Sequence, residues 1–360
     1  MGNLRSDNNA GLCPEAAAAL QELATGFAVG YGDDAITGQA IAAFRKLFGE
    51  QTAVFFVATG TAANTLAIAS MTEPWQRVLC HSYSHYNDDE STAPERITLC
   101  RTTAIAPTAD PSRITLADLD RATTGCRGDV HEPAPGVVTL TNVTELGTVY
   151  DPKSLAELCK LAHERGYRVH VDGARFANAV ASVMATQGLD ATTACRVLSV
   201  DAGVDALTFG GTKNGFAFGE AVLLFPQNGV PETIRACERF PFLRKSTGHL
   251  LSKHRFVSGQ FLRTLAEERW LAHAQHANQM AAKLAAGLVR QGFPPTFPVE
   301  ANGVFVKLPD TLDQRLRAAG HGYYPFFSSE GTVARLMSSY ATLPGDIDDF
   351  LADVERLAPR

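Results

Sequence analysis

The sequence predicts an α/β protein, with a mostly parallel sheet covered by helices on both faces and a smaller C-terminal α+β domain. In the first half of the 360-residue chain, short runs rich in β-branched residues alternate with helix-like segments, as in strand–helix–strand units. From Pro231 to about Arg290 the pattern changes to long helices, and shorter strand-like runs follow the Pro294-Pro295 breaker. Because the chain exceeds one typical folding unit, we expect a large domain over residues 1–245 and a small domain over residues 246–360.

Seven strand-like runs make up the predicted sheet of the large domain. They are Ala53–Val57, Arg77–Cys80, Ile97–Cys100, Gly136–Thr141, Tyr167–Val171, Ala206–Phe209 and Ala221–Phe225. Helices are predicted at Pro14–Leu23, Ala35–Phe48, Thr61–Met71, Leu116–Thr123 and Pro152–Arg165. The small-domain strands are predicted at Gly303–Leu308, Tyr323–Phe327 and Thr332–Ser338. Since strands linked through helices usually run in the same direction, most of the large sheet should be parallel.

The composition is that of an ordinary globular protein, with 45% hydrophobic and 19% charged residues. A formal net charge of −6 without a run of Lys and Arg argues against nucleic acid as a partner. No apolar stretch reaches the length of a membrane span, so we expect no membrane association. The seven cysteines are scattered without a CxxC pair, which favours reduced thiols in the cytoplasm over a disulfide framework or a zinc site.

A lysine and an aspartate that follow two predicted strands carry the strongest chemical signal. Lys213 lies in a loop of small residues after the strand Ala206–Phe209, and Asp172 follows the strand Tyr167–Val171. Alone, each residue is more typical of a turn lysine or a helix-capping aspartate. Together they favour pyridoxal phosphate, which needs a lysine to form a Schiff base and an aspartate to keep the pyridine nitrogen protonated.

A possible phosphate site lies where a predicted strand gives way to a helix, at Thr59-Gly60-Thr61. Small residues allow an anion to approach the backbone, and the free N–H groups and hydroxyl at a helix start donate hydrogen bonds to it. A plain N-capped turn is the alternative. In combination with the lysine and the aspartate, the motif predicts that this turn binds the cofactor phosphate.

His81 and His85 precede an acidic run of Asp88, Asp89 and Glu90. Two histidines with carboxylates could hold a metal ion, and a loop histidine in a solvated acidic patch is a second alternative. We favour a third interpretation, in which the ring of His85 lies flat on the pyridine face of the cofactor and relays protons. No metal is expected.

Arg175 and Arg335 are candidate clamps for a substrate carboxylate. A guanidinium binds a carboxylate through two parallel hydrogen bonds, which would fix the rotation of an amino acid about its Cα–N bond. The alternative for each arginine is an ion pair at the end of a strand.

Taken together, these motifs resemble the low-specificity L-threonine aldolase family of the beta-eliminating lyase superfamily. The matching segments are Leu4–Asp7, Tyr31–Asp34, Thr59–Asn64, His170–Arg175, the Lys213 loop, the region from Arg244 to Lys253, and Arg335–Ser338. The resemblance implies the aspartate-aminotransferase fold type I of pyridoxal-phosphate enzymes. It also implies an aldehyde-lyase that reversibly cleaves L-threonine or L-allo-threonine to glycine and acetaldehyde, in a homotetramer of tight dimers with active sites at the dimer interface.

The resemblance also implies a role for each matching residue. Lys213 is expected to form the Schiff base, Asp172 to bind the pyridine nitrogen and His85 to stack on the ring. The phosphate is expected to contact Gly60, Thr61 and Thr212, with Lys253 contributed by a neighbouring subunit. Ser6, Arg175 and Arg335 are expected to hold the substrate carboxylate, with Arg175 also near the cofactor. Tyr31 is expected to reach into the partner's site, and residues 1–12 to contribute to the active site.

One segment departs from the family pattern. Many members carry a second active-site histidine after the strand that is Val137–Thr141 here, whereas this chain reads Asn142-Val143-Thr144-Glu145-Leu146-Gly147. The base for the β-hydroxyl is expected to be His85 or a water that it positions. Thr144 could bind that hydroxyl, and Glu145 could be a helper or a salt-bridged bystander. A transaldolase, a β-eliminating lyase, a racemase and a non-catalytic family member are the alternatives.

Overall fold

The computed structural model describes residues 4–328 and 331–358 and contains two sheets. The larger sheet has seven strands in the order β1-β7-β6-β5-β4-β2-β3, and the smaller has three in the order β8-β10-β9. The strands are β1 Ala53–Val57, β2 Gln76–His81, β3 Arg101–Ile105, β4 Ala134–Thr141, β5 Arg168–Gly173, β6 Ala206–Gly210, β7 Glu220–Leu224, β8 Gly303–Val306, β9 Tyr324–Ser328 and β10 Gly331–Met337. The predicted α/β fold, with its second small sheet, is confirmed.

Five neighbouring strands of the large sheet, β3, β2, β4, β5 and β6, run parallel, and β7 runs antiparallel to both of its neighbours, β6 and β1. Every residue of β5, β6 and β7 is buried, which is expected for strands covered on both faces. The carboxyl ends of the parallel strands meet at one edge of the sheet, where ligands bind in folds of this type.

Fourteen helices are found in the described ranges. They are α1 Pro14–Glu22, α2 Ala35–Phe48, α3 Gly60–Met71, α4 His85–Asp88, α5 Ala93–Thr98, α6 Leu116–Thr123, α7 Pro152–Glu164, α8 Phe176–Gln187, α9 Ala191–Val197, α10 Pro231–Ser246, α11 Arg255–Leu265, α12 Arg269–Arg290, α13 Asp310–Ala318 and α14 Pro344–Leu357. Among these helices, none combines the length and the apolar character that crossing a membrane requires. Helix α3 is buried from Ala62 to Met71, so its first turn has a fixed position beside the sheet.

The predicted strand Ile97–Cys100 is wrong. Helix α5 runs from Ala93 to Thr98, and the strand β3 begins at Arg101. Pro94 stands in the first turn of this helix, where its fixed φ is favourable. Leu99 ends the helix with a left-handed φ of 60°. The run Ile97–Cys100 therefore covers the end of a helix, where Ile97 is partly buried and Leu99 is exposed. The sequence alone does not distinguish such a short apolar run from a strand.

The N-terminal segment, residues 4–12, joins the small sheet to the large one. The N–H of Leu4 donates to Gly322 O at 2.9 Å, and the N–H of Met337 donates to Leu4 O at 2.8 Å. The Leu4 side chain is buried in the apolar core of the small sheet. Helix α11 packs against α1 and α2, while α12 packs against α8 and α14. A boundary at residue 245 stays a prediction, and residues 1–3 of the predicted N-terminal contribution lie outside the described residues.

Candidate active site

Two adjoining cavities lie beside the carboxyl ends of the parallel strands. The larger has a volume of about 650 Å³ and the smaller about 320 Å³. Both are lined by Asn8, His85, Asp172, Ala174 and Lys213. The sheet therefore brings the three predicted catalytic residues, His85, Asp172 and Lys213, to one place.

Lys213 lies in a short 3₁₀ turn, Thr212–Asn214, that follows β6. The small residues before it are required by close packing, because a Cβ at Gly210 would lie 2.3 Å from Ala174 O. Burial, assisted by the positive charge of Arg175, lowers the pKa of the Lys213 ammonium. A lysine with a lowered pKa has a larger neutral fraction, which is the nucleophilic form.

Asp172 lies at the end of β5, and its carboxylate is fully enclosed. The N–H of Ala174 donates to Oδ1 at 2.9 Å, and Asn64 Nδ2 donates to Oδ2 at 2.8 Å. Burial by itself would raise the pKa of Asp172, but the Lys213 charge and the Ala174 N–H outweigh it and lower the pKa. The carboxylate therefore stays ionised, as binding to a protonated pyridine nitrogen requires.

His85 begins the short helix α4, and its Nδ1 lies 3.0 Å from Oε1 of the buried Glu90. This hydrogen bond raises the pKa of His85, against the opposing effect of burial. With Glu90 ionised, Nδ1 carries the proton and Nε2 is the other ring nitrogen. Asn64 Nδ2 also donates to Glu90, at 2.9 Å, so one amide group links Glu90 to Asp172. Sequence reasoning included Glu90 in a possible metal site and missed this pairing.

The smaller cavity faces the first turn of α3. Thr59 caps this helix through a hydrogen bond from Ala62 N–H to its hydroxyl at 3.2 Å, and Gly60 and Thr61 follow as the first helical residues. The first N–H groups of a helix have no intrahelical acceptor and attract anions. A Cβ built at Gly60 would meet no atom within 4 Å, so there is open space beside this turn. Thr212 lines the same cavity.

A buried carboxylate that the sequence did not single out completes the smaller cavity. Glu220, at the start of β7, accepts a hydrogen bond from Gly211 N–H at 2.8 Å through Oε2. Burial raises the pKa of Glu220 to about 7. This contact holds the loop that carries Lys213. The signal in the sequence would have been a charged residue at the start of an otherwise apolar strand.

These groups could together hold pyridoxal phosphate. The amine of Lys213 matches the aldehyde carbon, the carboxylate of Asp172 matches the pyridine nitrogen, and the first turn of α3 matches the phosphate. His85 lines both cavities. The donor set therefore fits the cofactor that the sequence predicts.

Arg175 and Arg335 both line the larger cavity, but their surroundings differ. Arg175 Nε and Nη2 donate to the two carboxylate oxygens of the buried Asp7 at 2.7 and 2.9 Å. The ion pair that the sequence left open as an alternative is therefore present. The guanidinium of Arg335 lies 5.7 Å from the centre of the Tyr324 ring. Its buried Nε has no hydrogen-bond partner among the described residues, and burial lowers the pKa of Arg335.

Ser6 and Thr144 also line the larger cavity. The Ser6 hydroxyl accepts a hydrogen bond from Asn8 N–H at 3.2 Å. The Thr144 hydroxyl lies 2.8 Å from the Thr148 hydroxyl and accepts from Thr148 N–H at 3.1 Å. Thr144 is thus already engaged within its own loop, and its predicted contact with a substrate hydroxyl would compete with these bonds.

Tyr31 and Lys253 are exposed and do not line either cavity within this chain. They are neighbours, because the N–H of Tyr31 donates to Ser252 O at 2.9 Å. The Lys245 ammonium lies 4.7 Å from the centre of the Tyr31 ring. Their contribution to a partner's site stays a prediction.

The metal alternative raised by the sequence involves His81 and His85. Within the described residues, the group whose ligand atoms lie close enough together to hold an ion is Cys13, Glu15 and His273. Neither His81 nor His85 belongs to this group. Burial lowers the pKa of His81, and its Nδ1 accepts a hydrogen bond from Tyr83 N–H at 2.9 Å.

The fold and the site together indicate an enzyme that binds pyridoxal phosphate. The model of the beta-eliminating lyase family matches residues 3–311, which is most of the chain. The protein belongs to this family.

Comparison with individual relatives shows which members of this family the chain resembles. The chain is 41% identical to the low specificity L-threonine aldolase of Pseudomonas aeruginosa, over 94% of this chain and 92% of the relative. It is 39% identical to the low specificity L-threonine aldolase of a Pseudomonas species, over 97% and 96% of the two chains. The solved structure of Leishmania major threonine aldolase is 26% identical, covers 99% of both chains and superposes with a TM-score of 0.86. The resemblance seen in the sequence is confirmed.

Proposed function

We propose that the protein is a pyridoxal-phosphate-dependent aldolase that cleaves L-threonine, L-allo-threonine and related L-β-hydroxy-α-amino acids to glycine and an aldehyde. The observation that carries this proposal is the placement of the Lys213 amine and the ionised Asp172 beside the two guanidinium groups of the larger cavity. The relatives named above support the choice of reaction.

The smaller cavity would hold the cofactor. When bound, pyridoxal phosphate supplies an electron sink for the electron pair that is left on Cα. The first turn of α3, with Gly60 and Thr61, and the Thr212 hydroxyl would bind the phosphate. The Asp172 carboxylate would hold the proton on the pyridine nitrogen. Lys213 would anchor the cofactor until a substrate amine displaces it.

The larger cavity would orient the substrate. Arg335 and the N–H groups of Arg175 that do not bind Asp7 would hold the carboxylate, with Ser6 beside them. Fixing the carboxylate and the amine together sets which Cα bond stands perpendicular to the cofactor ring, and that bond is the one that breaks. The ring of His85 would pack against the pyridine face, with its orientation set by Glu90.

We also propose that the protein is a cytoplasmic homotetramer of tight dimers, in which Tyr31 and Lys253 complete the partner's site. Large apolar side chains are exposed near these residues, including Phe27, Val29 and Phe242, as expected of an interface. The cysteines are free, which agrees with a reducing compartment. Light scattering would give the assembly state. A mixed dimer of one Lys213→Ala subunit and one Tyr31→Ala subunit tests whether Tyr31 acts across the interface. If it does, one of the two active sites has both intact residues, so half of the sites in the mixed dimer should be active.

Product analysis tests the reaction. With L-threonine and added pyridoxal phosphate, glycine and acetaldehyde should appear in equal amounts. Release of 2-oxobutanoate and ammonia would instead indicate a β-eliminating lyase. Turnover that requires a second aldehyde would indicate a transaldolase. D-allo-threonine as a product, formed by inversion at Cα alone, would indicate a racemase.

A further inference from the structure

Glu145 is a cavity-lining carboxylate that is anchored through one oxygen and open at the other. Oε1 accepts hydrogen bonds from the backbone N–H of His85 at 2.8 Å and from the Thr141 hydroxyl at 2.9 Å. Both side-chain hydrogen bonds of this carboxylate end on Oε1, so Oε2 has no such partner in the described part of the chain. Glu145 lines the larger cavity together with Lys213 and Arg335.

The loop that carries Glu145, residues 142–148, is held closed by its own hydrogen bonds. The N–H of Thr144 donates to Thr148 O at 2.9 Å, and the N–H of Gly147 donates to Thr144 O at 3.0 Å. The Thr144 and Thr148 hydroxyls add the contact described above. Gly147 has a φ of 82°, which favours glycine. The loop is therefore a fixed support, and the open oxygen of Glu145 has a defined position.

The surroundings of Glu145 suit a group that exchanges protons near neutral pH. Burial raises the pKa of Glu145 to about 7, with a further contribution from the Asp172 charge, while the His85 N–H opposes both. The titratable and charged groups that face it are Cys80, Tyr150, Asp172 and Arg175. The positive charge of Arg175 is already compensated by Asp7. Because the pKa is raised, Glu145 is protonated below about pH 7 and ionised above it, so both forms are available to a general acid–base.

His85 is less suited to this task. Its Nδ1 is engaged by Glu90 at 3.0 Å, so Nε2 is the one ring nitrogen left to accept a proton. The face of the ring would also be held against the cofactor. Glu145 lines the larger cavity without a role in holding the cofactor, so Oε2 is available to the substrate.

We propose that Glu145 Oε2 is the base that removes the β-hydroxyl proton of the substrate. This inference rests on the proposed aldolase function. The O–H bond breaks and its proton moves to Oε2, while its electron pair forms the C=O bond of the departing aldehyde. The Cα–Cβ electron pair stays on Cα, which then gains a proton to give glycine. Glu145 releases the proton that it took, so the cleavage has no net proton change. In the direction of synthesis, Glu145 donates this proton to the alkoxide.

The test compares cleavage with a reaction that does not involve the β-hydroxyl. Glu145→Gln keeps an acceptor for His85 N–H and Thr141 but cannot take a proton. We expect kcat for L-threonine cleavage to fall by about 10²–10⁴-fold, the usual contribution of a general base, and the acidic limb of its pH profile near pH 7 to disappear. Exchange of the glycine Cα proton in D₂O, followed by NMR, should be affected far less. Glu157→Gln, an exposed carboxylate on α7, is the matched control.

Two further measurements separate catalysis from folding. Infrared titration of the protein without cofactor should show one carboxyl fewer that ionises near pH 7 in Glu145→Gln than in the wild type, where Glu145 and Glu220 both do so. Glu145→Asp should keep the acidic limb and lose less rate than Glu145→Gln. Cleavage by Glu145→Gln within about threefold of wild type, or an equal loss of cleavage and glycine exchange, would overturn the assignment. If the wild type released no aldehyde from any β-hydroxy-α-amino acid, the proposed function would fail first and the base assignment with it.

Discussion

The two cavities of the active site are built in different ways. The smaller cavity is formed mainly by residues at the end of β5, after β6, at the start of α3 and at the start of β7, which belong to the large sheet and its covering helix, and it shares Asn8 and His85 with the larger cavity. The larger cavity brings together the N-terminal segment, the 142–148 loop and the small-sheet strands β9 and β10. One cavity is therefore fixed by neighbouring strands of one sheet, and the other depends on contacts between parts of the chain that are distant in sequence.

The charge balance of the two cavities differs as well. Lys213 is set against the ionised Asp172 in the smaller cavity. In the larger cavity, Asp7 compensates Arg175, and the Arg335 charge is left for an anionic ligand. We conclude that substitutions in the first cavity should change chemistry with little effect on folding, whereas those in the second should couple stability to substrate binding.

Lys213→Ala should give the largest effect. Loss of the amine should reduce cleavage by about four orders of magnitude or more, in line with removal of a covalent nucleophile. The variant should still bind pyridoxal phosphate weakly through the first turn of α3 and should melt within a few degrees of wild type. In the wild type, borohydride reduction followed by peptide mapping should find the cofactor on Lys213. A label on Lys245 or Lys253 would contradict the central assignment.

Asp172→Asn should come next. The change is nearly isosteric, so the protein should fold and keep its cofactor, but an amide cannot hold the proton on the pyridine nitrogen. Loss of a charge-assisted hydrogen bond is worth roughly 1.5–3 kcal/mol, or about tenfold or more, and weakening the electron sink should add to this. We expect a fall in kcat of about 10²–10³-fold or more. Activity within about threefold of wild type would be inconsistent with the role of Asp172.

The sequence predicted the first cavity better than the second for a physical reason. Asp172 lies at the end of a strand, and Lys213 and Thr61 follow strands. Strands that run in the same direction bring their carboxyl ends together whatever the side chains between them. Two features of the larger cavity depend on side-chain conformations and on packing between segments distant in sequence. They are the ion pair of Asp7 with Arg175 and the difference between the bonded Oε1 and the open Oε2 of Glu145. The pairing of Glu90 with His85 depends on the turn between them. No spacing in the sequence gives those contacts.

Asp7→Asn tests the coupling expected for the larger cavity. The variant leaves a buried guanidinium without its ionic partner, and breaking such a pair costs about 3–5 kcal/mol of the free energy of unfolding. KM for L-threonine should rise several-fold, because Arg175 is no longer held in place. Urea unfolding and steady-state kinetics measure the two effects, and Glu157→Gln, an exposed carboxylate outside both cavities, is the control. A change in KM without a loss of stability would mean that the cavity is not coupled to folding.

The loss of unfolding free energy in Asp7→Asn should depend on pH in a definite direction. The pKa of Asp7 is lowered in the folded protein, since the Arg175 charge and hydrogen bonds outweigh the effect of burial. Its stabilising contribution is therefore fully present above the unfolded pKa of about 3.9 and is lost as the pH falls through the lower folded value. The difference in unfolding free energy between wild type and Asp7→Asn should stay constant from pH 7 to 5 and shrink below about pH 4. A difference that grew on acidification would exclude this explanation.

The smallest effect concerns the configuration at Cβ. Rotation about Cα–Cβ can turn the hydroxyl of either isomer toward Glu145, so L-threonine and L-allo-threonine then differ in the position of the methyl group. A cavity of about 650 Å³ leaves room for both positions, and burial of one methyl group is worth about 0.8 kcal/mol. We expect both isomers to be cleaved with kcat/KM values within about tenfold of each other. D-Threonine should be refused, because Arg335, Arg175 and Lys213 fix the configuration at Cα.

Thr144→His sharpens this expectation. An imidazole would break the Thr144–Thr148 contact and place a new ring in the cavity, so the ratio of kcat/KM for the two L-isomers should change more than the affinity for pyridoxal phosphate. Thr144→Val, which removes the hydroxyl without adding a ring, is the matched control and should leave the ratio within about twofold of wild type. A wild-type preference above about a hundredfold, or roughly 2.7 kcal/mol, would mean that a fixed group already distinguishes the two positions of the hydroxyl. In that case the rotation about Cα–Cβ would not be free, and Glu145 would reach the hydroxyl of one isomer alone.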